Sequence, residues 1–253
     1  MHNFQPKTLF LGKNIVYLPS CHSTNDIAAE KIQNESIFDG TVVITSDQTA
    51  GRGQRGNSWE ALPGQNITMS VILKPDFLSA SSQFQLNIAV SLGVHDFLSR
   101  YIPEGLSIKW PNDIYVGNRK MGGILIENTL AGSRISHAIA GIGLNINQLS
   151  FSDSKAISLR LATRQDEFDL EQLIGDLCVS LEKYYLQLKN GHAATQKKQY
   201  LQHLFRYQEN HYFKKDGIRF IGKIVDIASN GMLMIEVDGI IEHFDFKEVS
   251  FEI

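Results

Sequence analysis

Apolar residues recur along this chain with two different periods, and each change of period marks an element. NIVYL over 14–18 and the β-branched run TVVITSDQ over 41–48 read as strands, the second long and apolar enough to be buried on both faces. NITMSVILKP over 66–75 reads as another strand. Between the first two, SCHSTNDIAAEKIQNE carries Ile27, Ala28 and Ile32 at helical spacing, and Ser23 followed by Asp26 resembles a capping box at its start. Leu86, Ala89, Val90, Gly93, Val94, Phe97 and Leu98 form one stripe and predict a helix over 79–101. The strongest helical period, from Leu170 through Leu173, Ile174, Leu177, Leu181, Tyr184 and Tyr185 to Leu188, predicts a helix over 170–188, with a second over 195–207.

Residues 107–147 read as strands joined by tight turns at GNR (117–119) and AGS (131–133). After 208 the texture becomes short alternating runs, with hairpin signals at Ser229-Asn230-Gly231 and Asp238-Gly239, where Asn, Asp and Gly tolerate positive φ. About 45 residues with four or five short strands predict a small closed barrel of SH3-like type. The expected organisation is an α+β protein: a mixed β-sheet domain flanked by helices over 1–208, and a small C-terminal barrel over 209–253.

A chain of 253 residues, 43% apolar and 20% charged, has the composition of a globular enzyme able to bury its own core. Its formal net charge of -3 argues against a general nucleic-acid binder, which needs a basic face. Cys21 and Cys178 form neither a disulfide framework nor a zinc signature, and the eight histidines show no ligand spacing. The start, MHNFQPKTLFLGKN, has no sustained apolar stretch of signal-peptide length, and no segment approaches a membrane span. A cytoplasmic protein is expected, with no membrane contact.

Four segments carry chemistry. Gly51-Arg52-Gly53-Gln54-Arg55-Gly56 formally matches the dinucleotide fingerprint GxGxxG, and Asp76 stands near the distance of the ribose acid. The fingerprint needs a helix after its last glycine, and here the chain runs through NSWEALPGQ into a strand. What remains is a flexible loop with two guanidinium groups suited to carboxylate or phosphate and, in Trp59, a flat surface for a base. The plain alternative is a surface hairpin with a core tryptophan. In Lys109-Trp110-Pro111-Asn112-Asp113, the plain reading of Asn112 and Asp113 is a turn. Lys120, before Gly122-Gly123 and an apolar strand, would place its ammonium at a sheet end beside closely approachable backbone; its plain alternative is a solvated lysine. Ser23-Thr24-Asn25-Asp26 reads as a helix cap, and Gly141-Ile142-Gly143-Leu144-Asn145-Ile146-Asn147 as a core strand with a bulge at its glycines.

Taken in order, STN, QTAGRGQRGNSW, KWPNDIYVGNRKMGGILIE, GIGLNIN and a small C-terminal barrel resemble the biotin protein ligases, and the resemblance covers nearly the whole chain from about residue 14. It implies a class II synthetase-like fold and an enzyme that activates biotin with ATP and Mg²⁺, then passes it to a lysine of a biotin carboxyl carrier domain. It also implies roles for individual residues. Ser23, Thr24 and Gln48 would hydrogen-bond the ureido ring, Gly51, Arg52 and Gly53 would wrap the valeryl chain and activated carboxyl, and Asn25 and Gln54 would also belong to the biotin site. Lys120 would touch the carboxylate and the α-phosphate, and Gly123 would leave room for biotin. Trp59 would stack on adenine, with Arg55, Lys109, Asn112 and Asn145 serving ATP or its magnesium, and Asp113 as base or metal-side acid; no metal site on protein ligands alone is expected. Gln54 departs from the arginine that many members of the family carry, which removes a charged contact there.

Three other readings compete. A lipoate or octanoyl ligase-transferase shares the implied fold but lacks the KWPND and GRGxRG pairing. A biotin-responsive repressor needs a helix-turn-helix module ahead of STN, and the 22 residues before Ser23 read as a strand, so no DNA partner is expected. A nicotinamide oxidoreductase lacks its helix. Either a monomer or a homodimer fits the pattern.

Overall fold

The computed structural model describes residues 5–34 and 36–252, apart from the side chain of Arg55. Strand β1 (Ile15–Cys21) leads into helix α1 (Thr24–Asn34), then β2 (Thr41–Gln48), a flap with one short 3₁₀ turn, and β3 (Asn66–Leu73). Helix α2 (Gln83–Ser99) is followed by β4 (Leu106–Lys109), β5 (Asp113–Val116), β6 (Arg119–Ala131) and β7 (Arg134–Asn145). The short α3 (Leu159–Thr163), α4 (Leu170–Lys189) and α5 (Ala193–Gln202) precede β8 (Asn210–Lys215), β9 (Ile218–Ile227), β10 (Leu233–Val237), β11 (Ile240–Phe244) and β12 (Ser250–Phe251). The class is α+β. The first seven strands form one mixed sheet in the order β1-β2-β3-β7-β6-β5-β4, parallel only between β1 and β2. The last five form a second, antiparallel sheet, β11-β10-β9-β8-β12.

The large sheet is a middle layer. Strand β3 is buried along its full length, as a continuous apolar run at the centre of a sheet requires. Its register with β7 pairs Ile72 with Ile139, Ser70 with Gly141 and Thr68 with Gly143, so these six share one face. Ile72 and Ile139, with Val43, pack under Ala28 of α1. The opposite face meets α2 and α4. Helix α2 is buried on nearly every side, and α4 crosses it so closely that a Cβ on Gly93 would stand 3.0 Å from the Leu181 Cα. The side chain of Asp169 caps α4 by accepting from the N–H groups of Glu171 and Gln172.

The turns fall where they were expected. Gly117, Gly132, Asp238, Gly239 and Gly231 all have positive φ. Several elements differ from the sequence reading: the short α3 had no expected counterpart, and β7 pairs regularly through Gly141 and Gly143, the irregularity lying at Thr129–Leu130 of β6 instead. The helix expected over 79–101 begins only at Gln83, after a 3₁₀ turn at Ala80–Ser82. The helix expected over 195–207 stops at Gln202, because the Ile108 N–H donates to the His203 carbonyl and the Phe205 N–H to the Ile108 carbonyl, which draws the chain out alongside β4. The small sheet encloses a stack of Phe213, Phe220 and Phe244 and shares one continuous core with the large one. Among the described residues no helix is long and apolar enough to cross a membrane.

One buried carboxylate ties the start of the chain to this frame. Glu182 of α4 accepts from the N–H groups of Leu9 at 2.7 Å, Phe10 at 2.8 Å and Leu11 at 3.0 Å. Removing it leaves three amides without acceptors. Glu182→Ala is therefore expected to lower unfolding free energy by about 2–4 kcal/mol. Urea denaturation checks this; a loss within error of zero would show that water replaces the carboxylate.

Candidate functional site

Beyond the N-terminus of α1, the α1-facing side of the large sheet is left bare, and a cleft of about 380 Å³ opens there. The start of α1, the end of β2, the flap 51–59, the KWPND turn, the start of β6, the middle of β7 and the 247–251 segment wall it. Of the residues expected at the site, Ser23, Thr24, Asn25, Gln48, Arg52, Gly53, Gln54, Trp59, Lys109, Asn112, Asp113, Lys120 and Gly123 line this one cleft. Gly51 and Asn145 are not among the residues that line it, and the side chain of Arg55 lies outside the described residues.

The floor is made of small residues. Register places Gly123 opposite Gly143 and Leu125 opposite Gly141, with Thr68 and Ser70 on the neighbouring strand. A Cβ on Gly143 would come within 2.5 Å of the Trp59 indole, and one on Gly141 would collide with the Asn25 amide. A Cβ on Gly123 would stand 3.3 Å from Asp113 Oδ1 and 3.6 Å from the Lys120 ammonium. Only glycine leaves this depression open.

At one end the polar groups hold one another. Ser23 Oγ accepts from the Asp26 N–H and caps α1. Asp26 does not return the bond as a capping box would; its carboxylate turns to Arg52 instead. Gln48 Oε1 accepts from the Thr24 N–H at 2.8 Å and from its hydroxyl at 3.3 Å. Ser70 Oγ lies 2.7 Å from Thr24 Oγ1 and 2.6 Å from Asn25 Oδ1. Asn25 is buried, and its Nδ2 donates to Glu127 at 2.7 Å. Both ends of its amide are thus spent within the protein, and Asn25 supports the wall.

Arg52 sets the flap. Its guanidinium donates to both oxygens of Glu127, at 3.0 and 2.9 Å, and to Asp26 at 2.6 Å. Hydrogen bonding to Glu127, reinforced by the two negative charges, raises its pKa above the ordinary arginine value. Its backbone bridges to Ser58, so the flap is a narrow hairpin. Trp59 lies on the Gly143 floor with its indole N–H buried and unpartnered. Farther along the same face of β7, Asn145 Nδ2 donates to the Ile157 carbonyl while its Oδ1 is also buried without a partner.

The KWPND turn is clamped from below. The Trp110–Pro111 peptide is cis. The Trp110 indole N–H donates to the Gly231 carbonyl, and the buried Tyr200 hydroxyl donates to the Pro111 carbonyl, both at 2.9 Å. Asn112 bonds the Ile124 carbonyl through its side chain and accepts the Ile124 N–H, so the plain turn reading describes its amide. These contacts aim Asp113 at Lys120, with 2.6 Å between Oδ1 and Nζ. Among described lining residues, Arg52, Lys109, Lys120 and Lys247 are cationic and Asp113 is the single carboxylate. No group of three or more His, Cys, Asp or Glu among the described residues could hold a metal ion.

Sequence reasoning missed Glu127, Ser70 and the 247–251 wall, and read Asp26 as part of a helix cap rather than as a partner of Arg52. Glu127 sits at the end of an apolar strand, with no local signal that Arg52 would reach it across 75 residues. The wall comes from the small sheet, whose alternation predicts strands but not what they cover.

Similarity to known proteins runs the length of the chain. A family profile described as the biotin/lipoate A/B protein ligase family matches residues 17–145. The bifunctional ligase/repressor BirA of Bacillus spizizenii is 30% identical over 237 residues, covering 92% of this chain and 72% of that protein. The biotin–[acetyl-CoA-carboxylase] ligase of Paracoccus denitrificans is 34% identical over 126 residues, 49% of this chain and 52% of its own. Among solved structures, biotin protein ligase from Aquifex aeolicus in complex with biotin and ATP superposes with a TM-score of 0.78 at 24% identity, over 95% of this chain and 99% of that one, which shows a common fold. The chain belongs to the biotin/lipoate A/B protein ligase family.

Because Glu127 holds both Arg52 and Asn25, Glu127→Gln is expected to loosen the flap by about 1–2 kcal/mol, the range left for charge-assisted bonds at a partly exposed site. Limited trypsin digestion at Arg52 and Arg55 should then run roughly tenfold faster, with the melting transition little changed. An unchanged cleavage rate would show that the ion pair does not restrain the hairpin.

Proposed function

We propose that this chain is an ATP-dependent biotin–protein ligase. It activates biotin to biotinyl-5′-AMP and transfers the acyl group to a lysine of a biotin carboxyl carrier domain, in the cytoplasm. The observation that carries this reading is the convergence of cations from the flap, the KWPND turn and the start of β6 over a glycine floor, with Lys120 at its centre. The family and the named relatives support it: solved relatives hold biotin and ATP, and biotinyl-5-AMP.

In the first step a biotin carboxylate oxygen attacks the α-phosphorus, the bond to the β-phosphate breaks, and pyrophosphate leaves. Two anions meet, so charge neutralisation that strengthens in the transition state supplies most of the acceleration. Lys120 takes that role, with Gly123 giving the acid access to its ammonium. Arg52 and Gly53 cover the reacting carboxyl, and Thr24 and Gln48, pre-bonded to each other, face the ureido ring. Trp59 and the unpartnered Asn145 oxygen serve the base. Mg²⁺ fits as a companion of the phosphates, with Asp113 as its one protein carboxylate, and would neutralise phosphate charge. In the second step a neutral lysine amine attacks the acyl carbon, AMP leaves, and the amine proton passes to Asp113, the one acid among the described residues that line the cleft. Residues 1–208 supply this chemistry, and 209–253 close one wall.

The test is incubation with labelled biotin, MgATP and a biotin carboxyl carrier domain, with lipoate in a parallel arm. Biotin should label the carrier and lipoate should not; the reverse would identify a lipoate ligase. Lys120→Ala should lower the rate of adenylate formation by roughly 10²–10³-fold, the size of a lost transition-state charge contact. A drop below tenfold would remove Lys120 from that role.

A further inference from the structure

One cation in the cleft has no counter-charge. Lys109 lies between two aromatic rings, its ammonium 5.0 Å from the Tyr115 centroid and 5.1 Å from that of Phe251, and hydrogen-bonds the Tyr115 hydroxyl at 3.3 Å. No carboxylate among the described residues stands within ion-pair distance of it. Burial, followed by the positive fields of Lys120, Lys155 and Arg206 and opposed by Asp113, depresses its pKa.

A second lysine is brought to the same corner by backbone pairing. The 155–157 segment runs parallel to the start of β6. The Lys120 N–H donates to the Lys155 carbonyl at 2.7 Å, and the Ile157 N–H to the Lys120 carbonyl at 2.9 Å. Asp153 fixes the approach by accepting the Lys155 N–H on Oδ1 at 2.8 Å. The Lys155 side chain is exposed and has no ion-pair partner among the described residues. Its neighbours are already engaged. Lys120 is paired with Asp113 at 2.6 Å, and Arg206 donates to the Glu252 carbonyl at 2.6 Å. Lys109 and Lys155 are thus two cations of this corner with no ion-pair partner among the described residues, and Arg206, bonded only to a neutral carbonyl, adds to the positive charge there.

A part-buried cation with an exposed like charge beside it makes a corner that attracts an anion. Adenylation presents one. The nucleotide is cut between its α- and β-phosphates, and the departing diphosphate gains charge as the bond breaks. We propose that Lys155, with Lys109, seats the β- and γ-phosphates and the leaving pyrophosphate, against the ring of Phe251 from the small sheet. This rests on the adenylation reading given above. It adds a residue from the 148–158 loop that none of the sequence motifs contains.

The test uses the full chain and three probes: MgATP, inorganic pyrophosphate and a non-hydrolysable biotinyl-adenylate analogue. In Lys155→Ala, the KM for ATP and the inhibition constant of pyrophosphate should each rise about tenfold, the loss of one charge-assisted phosphate contact. The affinity for the analogue, which has no β-phosphate, and the KM for biotin should stay within about twofold. Lys155→Arg should restore both phosphate-dependent constants. An equal loss for the analogue would mean that Lys155 only shapes the loop and would overturn the proposal, as would unchanged ATP and pyrophosphate constants. Wild-type protein showing no biotin-dependent pyrophosphate exchange would instead overturn the ligase reading itself.

Discussion

The cleft exists because one patch of a central sheet is denied side chains. On the face shared by β3, β6 and β7, the row that begins as Ile72 and Ile139 under α1 continues as Ser70 and Gly141, then Thr68, Gly143 and Gly123. The covering helix ends where the apolar pairs end. A single Cβ at Gly141 or Gly143 would run into Asn25 or Trp59, so the depression and the side chains that rim it occupy the same few ångströms. Register makes this possible. A slip of one residue would send Met69, Ile142 and Ile124 into the cleft and the glycines into the core.

A bare polar floor leaves hydrogen-bonding groups to satisfy, and the protein does so in two ways. At the end next to α1, Ser70, Thr24, Gln48, Asn25 and Glu127 form a closed chain of bonds that ends on the Arg52 guanidinium. At the other end, cations outnumber acids. The chain as a whole carries a net charge of -3, yet among the described lining residues Lys109 and Lys120 stand with Asp113 as the one carboxylate there. A gradient of this kind orients a ligand that is neutral at one end and anionic at the other, before any contact specific to its shape.

Period and turn chemistry made most of the fold legible. Strand β2 and helices α2 and α4 appear where their apolar residues repeat, and Gly117, Gly132, Gly231 and Asp238-Gly239 turn the chain as their positive φ allows. The motifs also named the residues that meet in the cleft, because Arg52, Lys120 and Trp59 lie in short segments with unusual composition. What stayed illegible was long-range partnership. Whether Asn25 touches ligand or protein depends on Glu127, a hundred residues away and ordinary in its own segment. Helix α5 shows the same limit. Its period continues past Gln202, and only the pairing of His203 and Phe205 with Ile108 ends it.

The small sheet completes the argument about charge. The change of texture near 208 marks a change of sheet, but the core continues through it, and Trp110 reaches the Gly231 carbonyl across the junction. Phe251 from that sheet lies over Lys109 and helps to desolvate it. A lysine on an exposed strand end would be hydrated, and its pull on an incoming anion would be screened by water and salt. Lys109 lies beside two aromatic rings, where a counterion other than the ligand has little room to stand. The second sheet thus supplies the low-dielectric wall that gives a lysine of the first its electrostatic strength.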